Sequence, residues 1–340
     1  MRKLASIQII EEIKTIEGAD AIERARIKGW WCVVKKGTFK VGDKCVYHEI
    51  DSLVPPIDQY SFLSKGTTLK KSIIETGVEV EGYRLKTIRL RGAISQGLAL
   101  PLSEFKGVFD ENIAVETDVS GILKIHKYDP PLDASISGDA KGMLPGFLSK
   151  TDEIRIQSCP EIMETYKGLH FYVTSKIDGT SSTFYKYENV FGACGHTLDF
   201  KDSEKNMFWK LARRYDLINR LPDGFSIQGE TAGEGIQSNR IKLKGVDFFC
   251  FYVFDILKYQ YLQLDDMLSF VKDLGLKTVP VVYDDFVLNH SCEELLKLAN
   301  IPSPLNPGMP QEGLVFRLKN NTDKISFKVI SNEYVLKWGL

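Results

Sequence analysis

Net charge, cysteine spacing and long apolar runs are all missing from this chain, and each absence removes a class of explanation. Lysine and arginine number 44 against 45 aspartate and glutamate, a formal net charge of −1. Binding to a polyanion therefore cannot come from overall charge and needs a local basic face. The six cysteines, at 32, 45, 159, 194, 250 and 292, form no C-x-x-C pair, and Cys45 and Cys250 sit in apolar strand-like runs. That is the pattern of reduced thiols in an intracellular protein, not of a zinc site or a disulfide framework. The five histidines are scattered without metal-ligand spacing. Met1-Arg2-Lys3 leads into mixed residues instead of the apolar run of a signal peptide. No stretch is long enough to span a bilayer. The expectation is a cytoplasmic protein with no membrane partner.

What is present is a chain of 340 residues, 43% hydrophobic and 26% charged, ordinary for a globular protein and long enough for two domains, each with its own core. The most informative stretch is residues 173–184. Val173 leads a strand, Asp178-Gly179 is a hairpin-turn dipeptide, and Thr183, Phe184 and Tyr185 begin a second strand. Lys176 then stands at a strand end, two residues before a carboxylate. A lysine amine is a nucleophile only without its proton. Burial or a nearby cation, such as a bound metal, lowers its pKa, and Asp178 is placed to help hold that metal. The plain alternative is a surface hairpin that happens to carry both residues.

Other stretches accompany it in order. Upstream lies the charged segment Lys150 to Gln157, with Arg155. Downstream, Phe225-Ser226-Ile227-Gln228-Gly229-Glu230 reads as a strand ending in a carboxylate, and Val246 to Ile256 as a core strand. Glu312 opens a strand and Lys328 sits on the next, so that a carboxylate and a cation can reach one phosphate from two sides, the carboxylate through a metal. Between these, residues 202–216 read as a helix, with Met207, Leu211 and Tyr215 on one apolar face.

Lys176-Ile177-Asp178-Gly179 resembles the nucleotide-attachment motif of the covalent nucleotidyltransferases. The five motifs together, over residues 150–330, are similar to the ATP-dependent RNA ligases. That resemblance implies that Lys176 takes AMP from ATP as a phosphoramidate. It implies magnesium or manganese served by Asp178, Glu230 and Glu312, and Lys328 on the α-phosphate. It also implies Arg155 on the β- and γ-phosphates, Ser175 and Ile177 in the nucleotide site, and Phe254 stacked on adenine. A purely packing role for Phe254 is the alternative. The usual Ser-Arg-Asn is replaced by Cys194-Gly195-His196-Thr197, so His196 stands where an arginine would meet the nucleic acid or ribose. Ser326 stands where the first of two lysines is usual, and Lys324 shares its strand parity.

The first half reads as short strands. Ile7 to Ile10, a buried strand Gly29 to Val34, Cys45 to Ile50 and an alternating strand Tyr83 to Arg91 are separated by turns at Lys35 to Thr38, Val41 to Lys44, Gly92 and Ser95 to Gly97. Such spacing suggests a small barrel. Arg84, Lys86, Arg89 and Arg91 are either a solvated face or phosphate contacts on an OB-type surface. The pattern over residues 5–102 resembles the N-terminal OB module of the fifth RNA ligase family. Pro130-Pro131 and Ser135 to Gly142 read as a linker or exposed loop.

Only residues 329–340 follow Lys328, too few for the OB domain that DNA ligases and capping enzymes carry there. The expected architecture is α+β: an OB-type β-barrel over residues 1–125, then a nucleotidyltransferase domain of antiparallel sheets with flanking helices over 126–340. The expected function is ATP-dependent RNA ligation in RNA repair by a monomer, on RNA that includes a nicked duplex with RNA at the 3′-hydroxyl side. A DNA strand-sealing ligase and a non-catalytic OB-containing nucleic-acid-binding protein are the alternatives.

Overall fold

The computed structural model describes residues 2–73, 78–110, 112–128, 139–321 and 324–340. The chain divides into two compact units. One comprises Met1–Pro131, Gln157–Pro160 and Val335–Leu340; the other comprises Leu132–Ile156 and Glu161–Tyr334.

Short strands build the first unit, as expected for a small OB-type barrel. Ile22–Ile27 and Trp30–Lys35 alternate in burial, while Ala5–Ile9 and Lys44–His48 are buried along nearly their whole length. Ala5–Ile9, Lys44–His48 and Leu98–Pro101 make one antiparallel sheet. Glu12–Thr15, Ile22–Ile27 and Trp30–Lys35 make an antiparallel meander. Ile7, Val46, Val54, Tyr60 and Phe105 fill one part of its core, and Ile10, Ala25, Trp30, Cys32 and Tyr47 another. Trp30–Lys35 is not buried throughout. Trp30, Cys32 and Val34 point inward while Trp31 and Val33 are half-buried. The strand expected over 45–50 ends at His48, and Asp51 takes a positive φ of 64° before Ser52–Val54 begins.

The expected strand over 83–91 is two strands. Glu79–Arg84 pairs with Leu69–Ile73 and Ser52–Val54, whereas Thr87–Leu90 pairs only with Ala93–Gln96, in a separate ribbon. Two sheets thus claim a run that looked continuous. Ser95 and Gln96 are strand residues, and the chain turns at Gly97 alone, where a Cβ would lie 2.4 Å from the His48 carbonyl oxygen. Of the anticipated linker, residues 130, 131 and 135–138 lie outside the described residues, while Ala140–Met143 is an edge strand.

The second unit has two sheets. The larger runs in the order Ala140–Met143, Leu198–Phe200, Val190–Cys194, Thr180–Tyr187, Phe225–Gly233, Val246–Asp255 and Gln260–Tyr261, with Lys277–Thr278 parallel beside Val246–Asp255. The smaller runs Ile154–Arg155, Ser326–Ile330, Gly313–Leu318, His170–Lys176 and Val281–Val287, antiparallel except for its first pair. Against the larger sheet packs the helix Met207–Arg214. Asn206 caps it, its side chain accepting from the backbone N–H groups of Phe208 and Trp209, so 202–205 precede the helix instead of belonging to it. Phe208, Trp209, Leu211 and Ala212 enter a core with Phe184, Ile227 and Phe248. Among the described residues no helix is long and apolar enough to cross a membrane.

Asp178-Gly179 does not close a hairpin. His170–Lys176 belongs to the smaller sheet and Thr180–Tyr187 to the larger, so the dipeptide carries the chain from one to the other. Glycine is required by crowding: a Cβ at Gly179 would lie 2.3 Å from the Thr231 carbonyl oxygen and 3.0 Å from Glu230 Cγ.

Candidate active site

That crossover opens a cleft lined from both sheets. Lys176 is the last residue of its strand and lies opposite Gly313. Gly313 is confined, since a Cβ there would sit 2.2 Å from the Val329 carbonyl oxygen. The register brings the preceding residue, Glu312, to Lys176, whose Nζ donates to Glu312 Oε2 at 2.8 Å. Lys328 lies opposite Val315 on the other neighbour of the Gly313–Leu318 strand, and Arg155 pairs in parallel register beside Lys328. From the larger sheet comes Glu230. It sits within Phe225–Gly233 and not at its end, opposite Ser181 and Phe249, and it accepts from the Gly179 N–H.

The two lysines are tuned in opposite directions. Burial acts to lower the Lys176 pKa, but Glu312, Glu230 and Asp178 outweigh it and hold it above the ordinary lysine value. Burial, reinforced by Lys176 and Arg155, pushes Lys328 down to about 7. Burial pushes Glu230 up to about 8; Lys176 opposes that shift, while Glu312 and Asp178 add to it. Asp178 is held from outside the cleft lining by Arg240, whose Nη1 lies 2.8 and 3.1 Å from its two carboxylate oxygens. Among the described residues no three His, Cys, Asp or Glu side chains form a ready-made metal cage. Asp178, Glu230 and Glu312 converge electrostatically on Lys176, with two of them already engaged by cations.

The other anticipated residues divide. Ser175 and Ile177 line the cleft, and Ser175 Oγ donates to Gln311 Oε1 at 2.8 Å. His196 lines it too, its Nε2 lying 2.9 Å from Asp152 Oδ2. Phe254 does not: it is 2% exposed and packs with Leu148, Tyr185, Cys194 and Ile256. Phe251 faces the cleft instead. Gln228 pairs with Tyr252 and Gly229 with Cys250, so Phe251 is the extra residue of a β-bulge and is re-aimed by it. Ser326 and Lys324 both turn to Glu153, Ser326 by a hydrogen bond and Lys324 at 3.6 Å. Neither lines the cleft, and Ser326 does not supply a second cation there.

In the first unit, Arg84 is committed to Asp51 at 2.7 Å and to the Tyr128 ring, and Lys86 donates to the Gly339 carbonyl at 3.2 Å. Arg89 and Arg91 are exposed.

Three residues of the site had no foothold in the motif reading. Arg240 comes from a loop more than sixty residues beyond its partner, and no local pattern marks it. Phe251 is concealed by the bulge. Arg317 is 4% exposed, lines the cleft, donates to Thr174 Oγ1 at 2.7 Å and lies 4.5 Å from the Tyr252 ring centroid. Strand parity with Lys328's neighbour Val315 was the one available signal for Arg317.

Known proteins match both parts of the chain. A family profile described as RNA ligase matches residues 169–330, and one described as an OB-fold domain matches residues 4–102. Solved structures of a Naegleria gruberi RNA ligase are 42% identical in sequence. One with pyrophosphate covers 98% of each chain at a TM-score of 0.87. A mutant with AMP and manganese and another with ATP and manganese have the same coverage and TM-scores of 0.88. No curated protein sequence matches.

Proposed function

The chain belongs to the RNA ligase family, and from that premise we propose that it joins RNA 3′-hydroxyl and 5′-phosphate ends with ATP, through AMP carried on Lys176. One observation carries the assignment: Lys176 Nζ lies 2.8 Å from Glu312 in a cleft that also holds Glu230 and Lys328.

The deprotonated Lys176 amine attacks the α-phosphorus of ATP. A P–N bond forms, the bond to the bridging oxygen breaks, and pyrophosphate leaves. An oxygen of the RNA 5′-phosphate then attacks the same phosphorus, and the P–N bond breaks as lysine departs. Finally the 3′-hydroxyl attacks the activated 5′-phosphorus, forming the phosphodiester and releasing AMP. Positioning and charge neutralisation supply most of such acceleration. Lys328 would hold the α-phosphate, Arg155 beside it the outgoing phosphates, and Ser175 and Ile177 the nucleoside. Asp178, Glu230 and Glu312 offer hard oxygen donors suited to magnesium or manganese. Burial is the main cause of the upward shift of Glu230, Glu312 and Asp178 add to it, and such a cation would oppose it. Bound there, the cation would supply charge neutralisation. For adenine stacking we propose Phe251 in place of Phe254, because Phe251 faces the cleft.

The proposal gives residues 1–125 the holding of RNA and residues 126–340 adenylyl transfer, in a cytoplasmic monomer acting on nicked duplexes with RNA at the 3′-hydroxyl side. The two family profiles, falling on separate stretches, support that division. The test is the mass of the protein after incubation with ATP and magnesium. Wild type should gain one AMP and Lys176→Ala none. Uptake of AMP by the alanine variant would remove Lys176 as nucleophile.

A further inference from the structure

The first unit contains six arginines, and its ion pairs sort them into two groups. Arg2 is paired with Glu49 at 2.6 Å, Arg84 with Asp51 at 2.7 Å, and Arg26 with Glu11 and Glu12 at 3.5 Å each. Among the described residues, Arg24, Arg89 and Arg91 form no ion pair.

Two of these meet in one groove, and the third lies on the strand that leads into it. Arg24 and Arg91 line the same groove, together with Thr15 and Glu17. Arg89 lies on the ribbon strand Thr87–Leu90, one residue before the turn that carries Arg91 at its tip. Arg91 and Gly92 both have positive φ, 47° and 80°, the geometry of a tight two-residue hairpin turn. The ribbon is tied down: the Val33 N–H donates to Ser95 Oγ at 2.9 Å, and Cys32 Sγ donates to the Gln96 carbonyl at 3.1 Å. The Arg24 guanidinium lies 4.8 Å from the Trp31 ring centroid, which restricts its motion before any ligand arrives.

We propose that this turn and the Trp31 strand form a ridge that grips the phosphodiester backbone of RNA. Arg24 and Arg91 share a groove in which neither is ion-paired, and a polyanion offers the phosphate oxygens to engage them. Guanidinium also presents paired donors that match phosphate oxygens. The near-neutral chain needs such a local basic face to hold nucleic acid. The ridge is distinct from the Arg84 and Lys86 positions, whose side chains are occupied. The inference rests on the RNA ligase reading above.

The full-length protein should be titrated with fluorescent 5′-phosphorylated single-stranded RNA and with a nicked RNA duplex, over a range of salt concentrations. Neutralising Arg24, Arg89 and Arg91 together to glutamine should reduce the slope of log affinity against log salt by about 2–3, since each phosphate contact contributes about 0.7–0.9. Replacing all three by lysine should restore the slope. Arg89→Gln alone, at an exposed site, should remove about a third of the effect without disturbing the fold. Arg84→Gln should leave the slope unchanged, and Glu17→Gln should tighten binding. AMP uptake by Lys176, measured on the same samples, should be normal in every variant. A wild-type slope in the triple glutamine variant or in Arg89→Gln, or an equal loss in Arg84→Gln, would overturn the ridge. Absence of AMP uptake in the wild type would instead overturn the ligase reading.

Discussion

The cleft has a carboxylate side and a cation side, and each holds one lysine. Lys176 faces Glu312, Glu230 and Asp178 and is held protonated more firmly than a free lysine. Lys328 is half-buried beside Lys176 and Arg155 and is driven toward neutrality, at about 7. The same side chain therefore takes opposite protonation tendencies a few residues of sheet apart. The difference teaches that the side chains of the cleft, by themselves, oppose the chemistry proposed for it. Lys176, the proposed nucleophile, holds its proton tightly, and Lys328, proposed to bind phosphate, is pushed toward losing its own. Phosphates arriving at Lys328 favour its charged form, and positive charge arriving at the carboxylates weakens their hold on the Lys176 proton.

The sharpest way to break that comparison is at Lys328. Lys328→Met should slow AMP transfer to Lys176 on the order of 10²–10³-fold in single turnover, as loss of other charge-stabilising donors does. In the wild type, binding of ATP above pH 7 should take up a proton at Lys328. Calorimetry in two buffers of different ionisation heat reads this directly, and the uptake should vanish in the methionine variant. Equal heats in both buffers would mean that Lys328 is already charged and that the two sides do not differ.

The apolar wall offers a control that charge does not touch. Base stacking on an aromatic ring is worth about 1–3 kcal/mol, or roughly 5–150-fold in affinity. Phe251→Leu should raise the ATP requirement by that factor and leave proton uptake unchanged. Phe254→Leu should lower the thermal midpoint and leave the ATP titration alone, because its ring lies in the core. The reverse pattern would return Phe254 to the site.

The smallest effect concerns stability. Glu230 titrates at about 8 in the folded protein and near 4.5 when unfolded. A raised carboxyl pKa means that the folded state binds the proton more tightly. The Glu230 contribution to stability is therefore greatest below about 4.5 and is lost as pH rises toward 8. Glu230→Gln should leave the melting temperature nearly unchanged at pH 4.5 and raise it by a few degrees at pH 8.5. A uniform shift at both pH values would show packing, not charge, at work. Such a gain would match the general cost of charged functional sites.

Much of this could be read along the chain because the motifs are local. Lys176 and Asp178 are two residues apart, Glu312 touches the start of its strand, and Lys328 lies on the next strand. The barrel was visible in short alternating strands, and the core strand Val246 to Asp255 in its apolar length. What escaped were departures from regular periodicity. Phe251, the extra residue of a bulge, faces the cleft while Phe254, three residues on, is buried, and the family position falls on the buried ring. The Asp178-Gly179 dipeptide satisfies hairpin chemistry, yet the chain crosses between sheets there. Arg84 looked like a surface cation until its carboxylate partner, thirty-three residues away, was in place.

The chemical class was legible along the chain, because the order of its lysine and carboxylate motifs resembles that of the ATP-dependent RNA ligases whatever the packing. The sequence by itself also determined that any RNA grip must be local, because 44 cations nearly balance 45 anions. Only the tertiary structure decided which cations remain unpaired, which aromatic ring enters the cleft, and which lysine is driven toward neutrality. Those outcomes depend on distances between residues far apart in the chain. Coulomb interactions and desolvation respond to such distances in space, and the order of residues does not encode them directly.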